Sequence, residues 1–199
     1  KVWIQLPHGV VAEDLLQHEQ RMAAALGRPA DCVVVVPKPH VTPGDLDLWV
    51  LDKAVFANNL GPGPLVSVRR TSWWDAPAFG KTRIGELHRE HLAGGSHFYG
   101  GRPNFGKSST QLIAAAHTAL DPNAILVVIE LKGAPVYAPF RPICHRYVSA
   151  SPDTDPTAID RAREVLRGLL VECGERNAFL TKLNEQGVTD ATEVTRELS

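Results

Sequence analysis

The first sixty residues show one helical pattern followed by two strand patterns. Apolar side chains recur every three or four positions over residues 13–26, and a Gly-Arg-Pro stop signal follows, so the pattern predicts an amphipathic helix. Residues 32–36 are apolar and mostly β-branched, which predicts one strand. A second strand is predicted at residues 46–51, because Asp45 and Asp47 alternate with apolar residues there. Residues 1–60 are therefore expected to form a small α+β domain.

The segment that follows is rich in turn-forming residues. Residues 58–64 (NNLGPGP) contain too many Gly and Pro residues to hold a regular element. Short strands are predicted at residues 65–68 and 84–87, on either side of two adjacent tryptophans. Residues 61–95 are accordingly interpreted as a β-rich connection.

From residue 96 the order of elements changes to that of a parallel α/β sheet. A short strand is predicted at residues 97–99, a helix at 108–120 and a buried strand at 125–131. A long helix is predicted over residues 155–187, with the aspartate at its start as N-cap and a proline at its first position. Strands that alternate with helices in this way are typical of a parallel sheet with flanking helices.

Composition narrows the class of protein. The chain has 199 residues, of which 44% are hydrophobic and 22% are charged, as expected of an ordinary globular protein. The longest aliphatic runs are far shorter than the roughly 20 residues of a membrane-spanning helix. Three widely spaced cysteines suggest neither a disulfide framework nor a zinc site, so we expect a cytoplasmic location. Because the first residue is Lys1 and not Met, we treat the chain as a piece of a longer protein.

Charge is unevenly distributed although the net charge is only -1. Basic residues outnumber acidic ones between residues 69 and 107, while residues 151–199 are acidic. A basic stretch of this kind is typical of a solvated face or of a surface that contacts nucleic-acid phosphates, and both interpretations stay open. The basic residues are Arg69, Arg70, Lys81, Arg83, Arg89, Arg102 and Lys107.

One motif indicates specific chemistry. Residues 101–108 (GRPNFGKS) fit the phosphate-loop pattern GxxxxGK(S/T) at every fixed position, between a predicted strand and a predicted helix. In such a loop the N–H groups converge on a phosphate, the lysine reaches the β- and γ-phosphates, and the hydroxyl ligates Mg²⁺. The predicted nucleotide-binding residues are Gly101, Arg102, Pro103, Asn104, Phe105, Gly106, Lys107, Ser108 and Ser109, with Lys107 as the catalytic residue and Ser108 as the metal ligand.

This motif has one alternative interpretation, and one similar sequence occurs elsewhere in the chain. Residues 101–108 would also suit a glycine-rich turn between a strand and a helix that holds no ligand. A second GK(S/T) sequence, GKT, follows Phe79, but Asp75 stands where the first glycine is required, so no phosphate loop can form there. Gly80 and Lys81 are therefore expected in a turn.

The second half of a nucleotide-hydrolysing site, a strand that ends in Asp or Asp-Glu (Walker B), is not found. Two runs have a similar pattern, LWVLD at residues 48–52 and ILVVIE at residues 125–130. The first lies before the phosphate loop, and the second comes only one helix after it, so neither is in the position of a Walker B strand. Glu130 is interpreted as a polar strand end, with a direct role in the site as the alternative. The Walker B strand is expected after the long helix, and the chain ends at Ser199 before it.

Residues 96–199 resemble the motor domain of the FtsK/SpoIIIE DNA translocases, and most closely the plasmid-transfer proteins of actinobacterial conjugative elements (TraB/TraSA type). Residues 10–90 resemble, less specifically, the small β-rich domain that precedes this motor. The stretches that carry the resemblance are the phosphate loop, residues 120–122 and 130–133, residues 140–148 (FRPICHRYV), Glu172 and Arg176 in the long helix, and residues 194–198 (VTREL).

The resemblance implies a RecA-like P-loop ATPase fold, incomplete at its C-terminus, over residues 96–199. It implies ATP and Mg²⁺ as cofactors, double-stranded DNA as partner and a hexameric ring in the full-length protein, with a membrane anchor outside this chain. The activity implied is ATP-driven DNA translocation in conjugative plasmid transfer. Chromosome segregation, type VII secretion and a non-hydrolysing nucleotide-binding scaffold are the alternatives. Pro103 departs from the family pattern and removes one N–H donor from the loop.

Overall fold

The computed structural model describes residues 1–38, 40–151 and 153–188, and in this part of the chain the fold is mixed α/β. Backbone contacts divide it into two compact units, Lys1–Val66 with Ala78–Arg89 and Ser67–Pro77 with the residues from Glu90 onward. The described helices are α1 (Glu19–Ala25), α2 (Lys107–Ala119) and α3 (Ala158–Glu185). The strands are β1 (Val2–Gln5), β2 (Val33–Pro37), β3 (Asp45–Val50), β4 (Ala78–Lys81), β5 (Leu87–Arg89), β6 (Val127–Glu130) and β7 (Arg146–Ser149).

The first unit is built on a three-stranded antiparallel sheet in the order β1-β3-β2. Leu46 of the central strand pairs with Ile4 of β1 and with Pro37 of β2. Leu46, Val35 and Ala12 form the buried core of this unit. The two strands predicted in this region are thus confirmed, with bounds that differ by one residue.

Two features of the first unit differ from the sequence prediction. The helix predicted over residues 13–26 is divided into a 3-10 segment, Ala12–His18, and the α-helix α1. Strand β1 was not predicted, because four residues at a sheet edge carry too little periodicity to stand out. Glu19 begins α1 and accepts a hydrogen bond from the Val35 N–H (2.9 Å), which ties the helix to β2.

Three further predictions, in the hairpin β4–β5 and in the segment before it, were wrong. Gly80 and Lys81, expected in a turn, lie in β4. The turn falls instead at Thr82–Glu86, where the Gly85 N–H donates to the Thr82 carbonyl, so the strand predicted at residues 84–87 begins only at Leu87. Residues 65–68, predicted as a strand, belong to a 3-10 segment at Pro64–Ser67.

The second unit contains the parallel pair that was expected from the alternation of elements. Strands β6 and β7 run parallel, with Val127 opposite Arg146 and Ile129 opposite Val148. Helix α2 precedes the pair, and α3 follows it and packs on β7. The helix predicted at residues 108–120 and the strand at 125–131 are confirmed within two residues at each end.

The remaining predictions for this unit were wrong in detail. Residues 97–99 form no strand. Helix α3 begins at Ala158 with Thr157 as N-cap, and Asp155 accepts hydrogen bonds from the Thr157 N–H (3.0 Å) and hydroxyl (2.7 Å) in the turn before the helix. Strand β7 was missed, and residues 194–198 lie outside the described residues.

Candidate nucleotide-binding site

Residues 101–106 form an exposed loop, and residues 107–109 are the first turn of α2. Gly106, with a φ of 80°, is the N-cap of the helix, and Lys107 is its first residue. Asn104 has a φ of 63° and is the one non-glycine residue with positive φ in the described chain. Backbone loops that bind anions through their N–H groups often contain residues in this left-handed region.

Lys107 folds back over this loop. Its ammonium donates to the carbonyl oxygens of Gly101 (2.8 Å) and Arg102 (2.7 Å). Gly101 has a φ of 153°, and a β-carbon there would contact the Lys107 side chain at 3.7 Å. Because an ammonium group carries three donors, one of them is left for a ligand after these two bonds. In this structure Lys107 therefore holds the loop together through its own backbone carbonyls.

The first turn of α2 supplies further donors and hydroxyl groups. The first helical hydrogen bond runs from the Thr110 N–H to the Gly106 carbonyl (2.9 Å), so the N–H groups before it have no partner within the helix. Ser108 and Ser109 are exposed beside them. The motif thus brings together all nine predicted residues on one loop and one helix end.

Glu130 is engaged in structural hydrogen bonds. It is the last residue of β6, and it is buried. One carboxylate oxygen accepts from the Val136 N–H (3.2 Å) and the other from the Ser149 hydroxyl (3.3 Å). These bonds join the end of β6 to the loop that follows it and to the end of β7. Glu130 is therefore a polar residue at the end of a strand, as the sequence predicted.

Two tyrosines accompany the loop and were not found from the sequence. The Tyr137 hydroxyl donates to the side-chain oxygen of Gln111 (2.9 Å), which lies one helical turn after Lys107. Burial raises the pKa of Tyr137, and the negative charge of Glu130 and the neighbouring Tyr99 raise it further. Burial also raises the pKa of Tyr99. Both phenols are therefore neutral donors over the physiological pH range.

The other end of α2 is tied to the segment that contains the two tryptophans. His117 accepts a hydrogen bond at its carbonyl from the Thr71 hydroxyl (2.6 Å), and its ring nitrogen Nε2 lies 2.9 Å from the Ser72 carbonyl. Asp121 accepts from the N–H groups of Trp73 (2.5 Å) and Asn123 (2.8 Å). The Asp-Pro-Asn sequence is a turn signal, but its long-range partner could not be predicted from the sequence.

Trp73 and Trp74 also line a groove of about 1230 Å³ in the second unit. Helix α3 forms its other wall, and the first residues of β6 and β7 contribute to it. Glu172 and Arg176, which carry part of the family resemblance, both line this groove and form an ion pair of 2.8 Å. No residue of the phosphate-loop candidate lines it.

Comparison with known proteins gives this chain no relatives: no protein-family profile, curated protein or solved structure matches it. Within the described residues, no helix has both the length and the apolar composition that crossing a membrane requires. The same residues contain no group of three or more His, Cys, Asp or Glu side chains that could hold a metal ion. The functional assignment therefore depends on the loop, the lysine and their neighbours.

Proposed function

We propose that residues 101–109 bind the triphosphate of ATP together with Mg²⁺. The observation that carries this proposal is the position of Lys107, whose ammonium bonds two carbonyls of the loop that precedes it. These two bonds keep the ammonium group beside the loop, where its charge adds to the partial positive charge at the N-terminus of α2. A loop that binds phosphate needs that charge at its centre.

The residues have separate roles in this proposal. The exposed N–H groups at the start of α2 and the left-handed loop hold phosphate oxygens, and Lys107 neutralises the β- and γ-phosphates. The Ser108 hydroxyl would be the chain's ligand to Mg²⁺, and the ion would offset the charge of the phosphates. Bound Mg²⁺ and ATP supply the energy-yielding chemistry, while the chain orients the phosphates.

On the basis of the family resemblance, we assign this nucleotide site to a RecA-like, ATP-driven double-stranded DNA translocase of the FtsK/SpoIIIE type, in conjugative plasmid transfer. A hexameric ring around the DNA at the inner face of the membrane belongs to the same proposal. The parallel pair β6–β7 with a helix before and after it supports a fold of this class. Chromosome segregation and type VII secretion are the alternatives within the superfamily.

One observation favours a second candidate function. Each carboxylate oxygen of Glu130 accepts one hydrogen bond, from the Val136 N–H or the Ser149 hydroxyl, so the bonds shown for this acid are structural. A chain that binds ATP without a carboxylate to orient water would serve as a nucleotide-binding scaffold module. Turnover of ATP that survives repeated purification would exclude this second candidate.

Substitution of Lys107 by alanine tests the nucleotide site. The variant loses hydrogen bonds to charged phosphate worth about 1.5–3 kcal/mol, so we expect binding of Mg²⁺-ATP to weaken at least about tenfold or to become undetectable. Isothermal titration calorimetry measures this change directly. Lys81→Ala is the matched control, because Lys81 also follows a glycine in a GKT sequence but lies in strand β4. Equal affinity of the Lys107→Ala variant and the unmodified chain would refute the assignment.

A further inference from the structure

Strand β1 lies at one edge of the three-stranded sheet in the first unit, and it pairs with β3 on its inner side. The Leu6 N–H donates to the Gly44 carbonyl (3.0 Å), which continues the register of β1 and β3 by one pair. Hydrogen-bonded and non-hydrogen-bonded pairs alternate along an antiparallel ladder. The even-numbered residues of β1 therefore bond to β3, and the backbone N–H and C=O groups of Trp3 and Gln5 face away from it.

The outer edge of β1 is open. Within the part of the chain that the structure describes, no hydrogen bond reaches the outward backbone groups of Trp3 and Gln5. The side chains of Val2 and Trp3 are each 56% exposed. A row of N–H and C=O groups of this kind is a template for pairing with another strand. This edge of the sheet can therefore accept a further strand.

The opposite edge of the same sheet, along β2, is closed. Its outward residues are Val33, Val35 and Pro37, because the residues between them bond to β3. The Val33 N–H donates to the Ala30 carbonyl. The Val35 N–H donates to the Glu19 carboxylate (2.9 Å), and proline has no N–H to offer. Every outward donor position of β2 is thus occupied or removed, whereas β1 has no such protection.

The sequence of β1 is complementary to itself when two copies run antiparallel with Trp3 opposite Trp3. In this register Val2 lies opposite Ile4 of the second copy, and Lys1 lies opposite Gln5. Residues directly opposite each other have their side chains on the same face of a sheet, so the exposed apolar side chains of β1 cover one another. No two like charges face each other.

We propose that two copies of this chain associate through β1, antiparallel and about a two-fold axis, into one continuous sheet. Trp3 exchanges two backbone hydrogen bonds with Trp3 of the second copy, and each Gln5 N–H donates to the Lys1 carbonyl opposite it. Both outer edges of the joined sheet are then β2 strands, whose outward donors are blocked, so the assembly closes at two copies. This inference does not depend on the proposed nucleotide function.

The mass of the unmodified chain in solution, measured by analytical ultracentrifugation up to millimolar concentration, tests the association. We expect the mass to rise toward twice the 21.7 kDa of one chain. Gln5→Pro removes the outward N–H but keeps the bonds of β1 to β3, and proline is tolerated at such edge positions. Two hydrogen bonds are lost per dimer, so the dimer dissociation constant should rise by about 5- to 150-fold.

A charge at the centre of the interface gives a second variant with a matched control. Trp3→Lys places two ammonium groups opposite each other across the two-fold axis, so it should abolish the dimer. Val41→Lys adds the same charge at a residue that is 66% exposed in the turn between β2 and β3. The control should leave the dissociation constant within about twofold of the unmodified value, because its charge lies outside the interface.

Amide hydrogen exchange of the unmodified chain tests the strand pairing without any substitution. As the concentration rises, exchange at the Trp3 and Gln5 N–H groups should slow, because these groups become hydrogen-bonded only in the dimer. The Ile4 N–H, which already bonds to β3, should be protected at every concentration. Protection that increases at alternate residues is specific to the addition of a strand.

Three outcomes would overturn the proposal. The first is a chain that stays monomeric up to millimolar concentration. The second is a dimer that Gln5→Pro and Trp3→Lys leave intact, since it would form through another surface. The third is association, into two copies or more, that leaves exchange at Trp3 and Gln5 unchanged. The exchange measurement decides the question even if either variant fails to fold.

Discussion

At the scale of single residues, Asp47 has the most specific environment in the first unit. Its carboxylate lies in the central strand β3, is 4% exposed, and pairs with the ammonium groups of Lys1 (2.7 Å) and Lys38 (3.0 Å). The hydrogen bond from Lys1 lowers the pKa of Asp47 below the ordinary 3.8, burial opposes this, and Lys38 adds to the lowering. A buried carboxylate with these partners stabilises the fold only while it is ionised.

We therefore expect Asp47→Asn to destabilise the chain in a pH-dependent way. A lowered pKa means that the stabilisation is complete above the ordinary value near 3.8 and disappears as the pH falls through the folded-state pKa. The melting temperature of the variant should be lower than that of the unmodified chain at pH 7, and the difference should shrink below pH 3.8. Thermal unfolding by circular dichroism across this pH range measures it.

Asp52→Asn is the control for this series. The Asp52 side chain is almost fully exposed and lies 3.7 Å from Arg28, so its pair is screened by solvent and contributes little. Its removal should leave the melting temperature nearly unchanged at every pH. A constant difference between the Asp47→Asn variant and the unmodified chain, independent of pH, would show that packing and not charge is what Asp47 provides.

At the scale of elements, a glycine inside α3 and a glycine just after its end have different conformations. Gly174 lies inside the helix, and an added β-carbon there would meet nothing within 4 Å. Gly187 follows the end of the helix with a φ of 69°, and its N–H donates to the Asn184 carbonyl (3.0 Å). Only the second position requires glycine, since a side chain in the left-handed region is strained.

The two positions predict opposite effects of the same substitution. Gly174→Ala should stabilise the chain by about 0.5–1 kcal/mol, because alanine loses less backbone entropy in a helix. Gly187→Ala should destabilise it by about 1–2 kcal/mol through left-handed strain. Chemical denaturation monitored by helical circular dichroism compares both variants with the unmodified chain. Destabilisation by Gly174→Ala would indicate that this part of α3 meets a neighbour in solution.

The elements also show what a sequence pattern can predict. Long periodic stretches such as α2 and α3, and the apolar run of β6, were predicted because their own side chains specify them. Strands β1 and β7 were missed, because neither lies in an apolar run longer than three residues and each exists through its pairing with a distant strand. Strand β4 was not predicted and the strand expected at residues 84–87 begins only at Leu87, since the turn between β4 and β5 is closed by a hydrogen bond that no composition signal fixes.

The same distinction applies to the candidate site. Residues 101–109 are contiguous, so one motif was enough to identify them. The bond between Gln111 and Tyr137 joins residues 26 positions apart, and the bonds of His117 and Asp121 to residues 71–73 span more than 40 positions. Such pairs depend on how strands and helices meet in space, which a single sequence does not specify.

At the scale of the whole molecule, the basic stretch between residues 69 and 107 does not form a single unit. Lys81, Arg83 and Arg89 belong to the first unit, and the other four basic residues belong to the second. Arg83 forms an ion pair with Glu19 (2.8 Å), and Lys107 is bound to its own loop. Arg69 and Arg70 are adjacent and exposed, so they are the strongest candidates for contact with DNA phosphates.

We expect this chain to bind duplex DNA weakly and without sequence preference, because its net charge is only -1. Affinity should fall as salt rises, since each neutralised phosphate releases counterions. Reversal of Arg69 and Arg70 to glutamate should reduce the slope of log affinity against log salt by about 1–2, because each phosphate that is no longer neutralised removes about 0.9 from the slope. Fluorescence anisotropy with a labelled duplex at several salt concentrations measures the slope.

A second charge reversal distinguishes contact from overall charge. Arg163 and Arg167 are exposed on α3, so their reversal to glutamate changes the net charge by the same amount as reversal of Arg69 and Arg70. If Arg69 and Arg70 contact phosphate, only their reversal reduces the slope of log affinity against log salt. The variant with both α3 arginines reversed then keeps the slope, and its affinity for DNA falls slightly. Equal slopes for both variants would mean that Arg69 and Arg70 form a solvated surface, and DNA binding would then have to come from several copies of the chain acting together on one duplex.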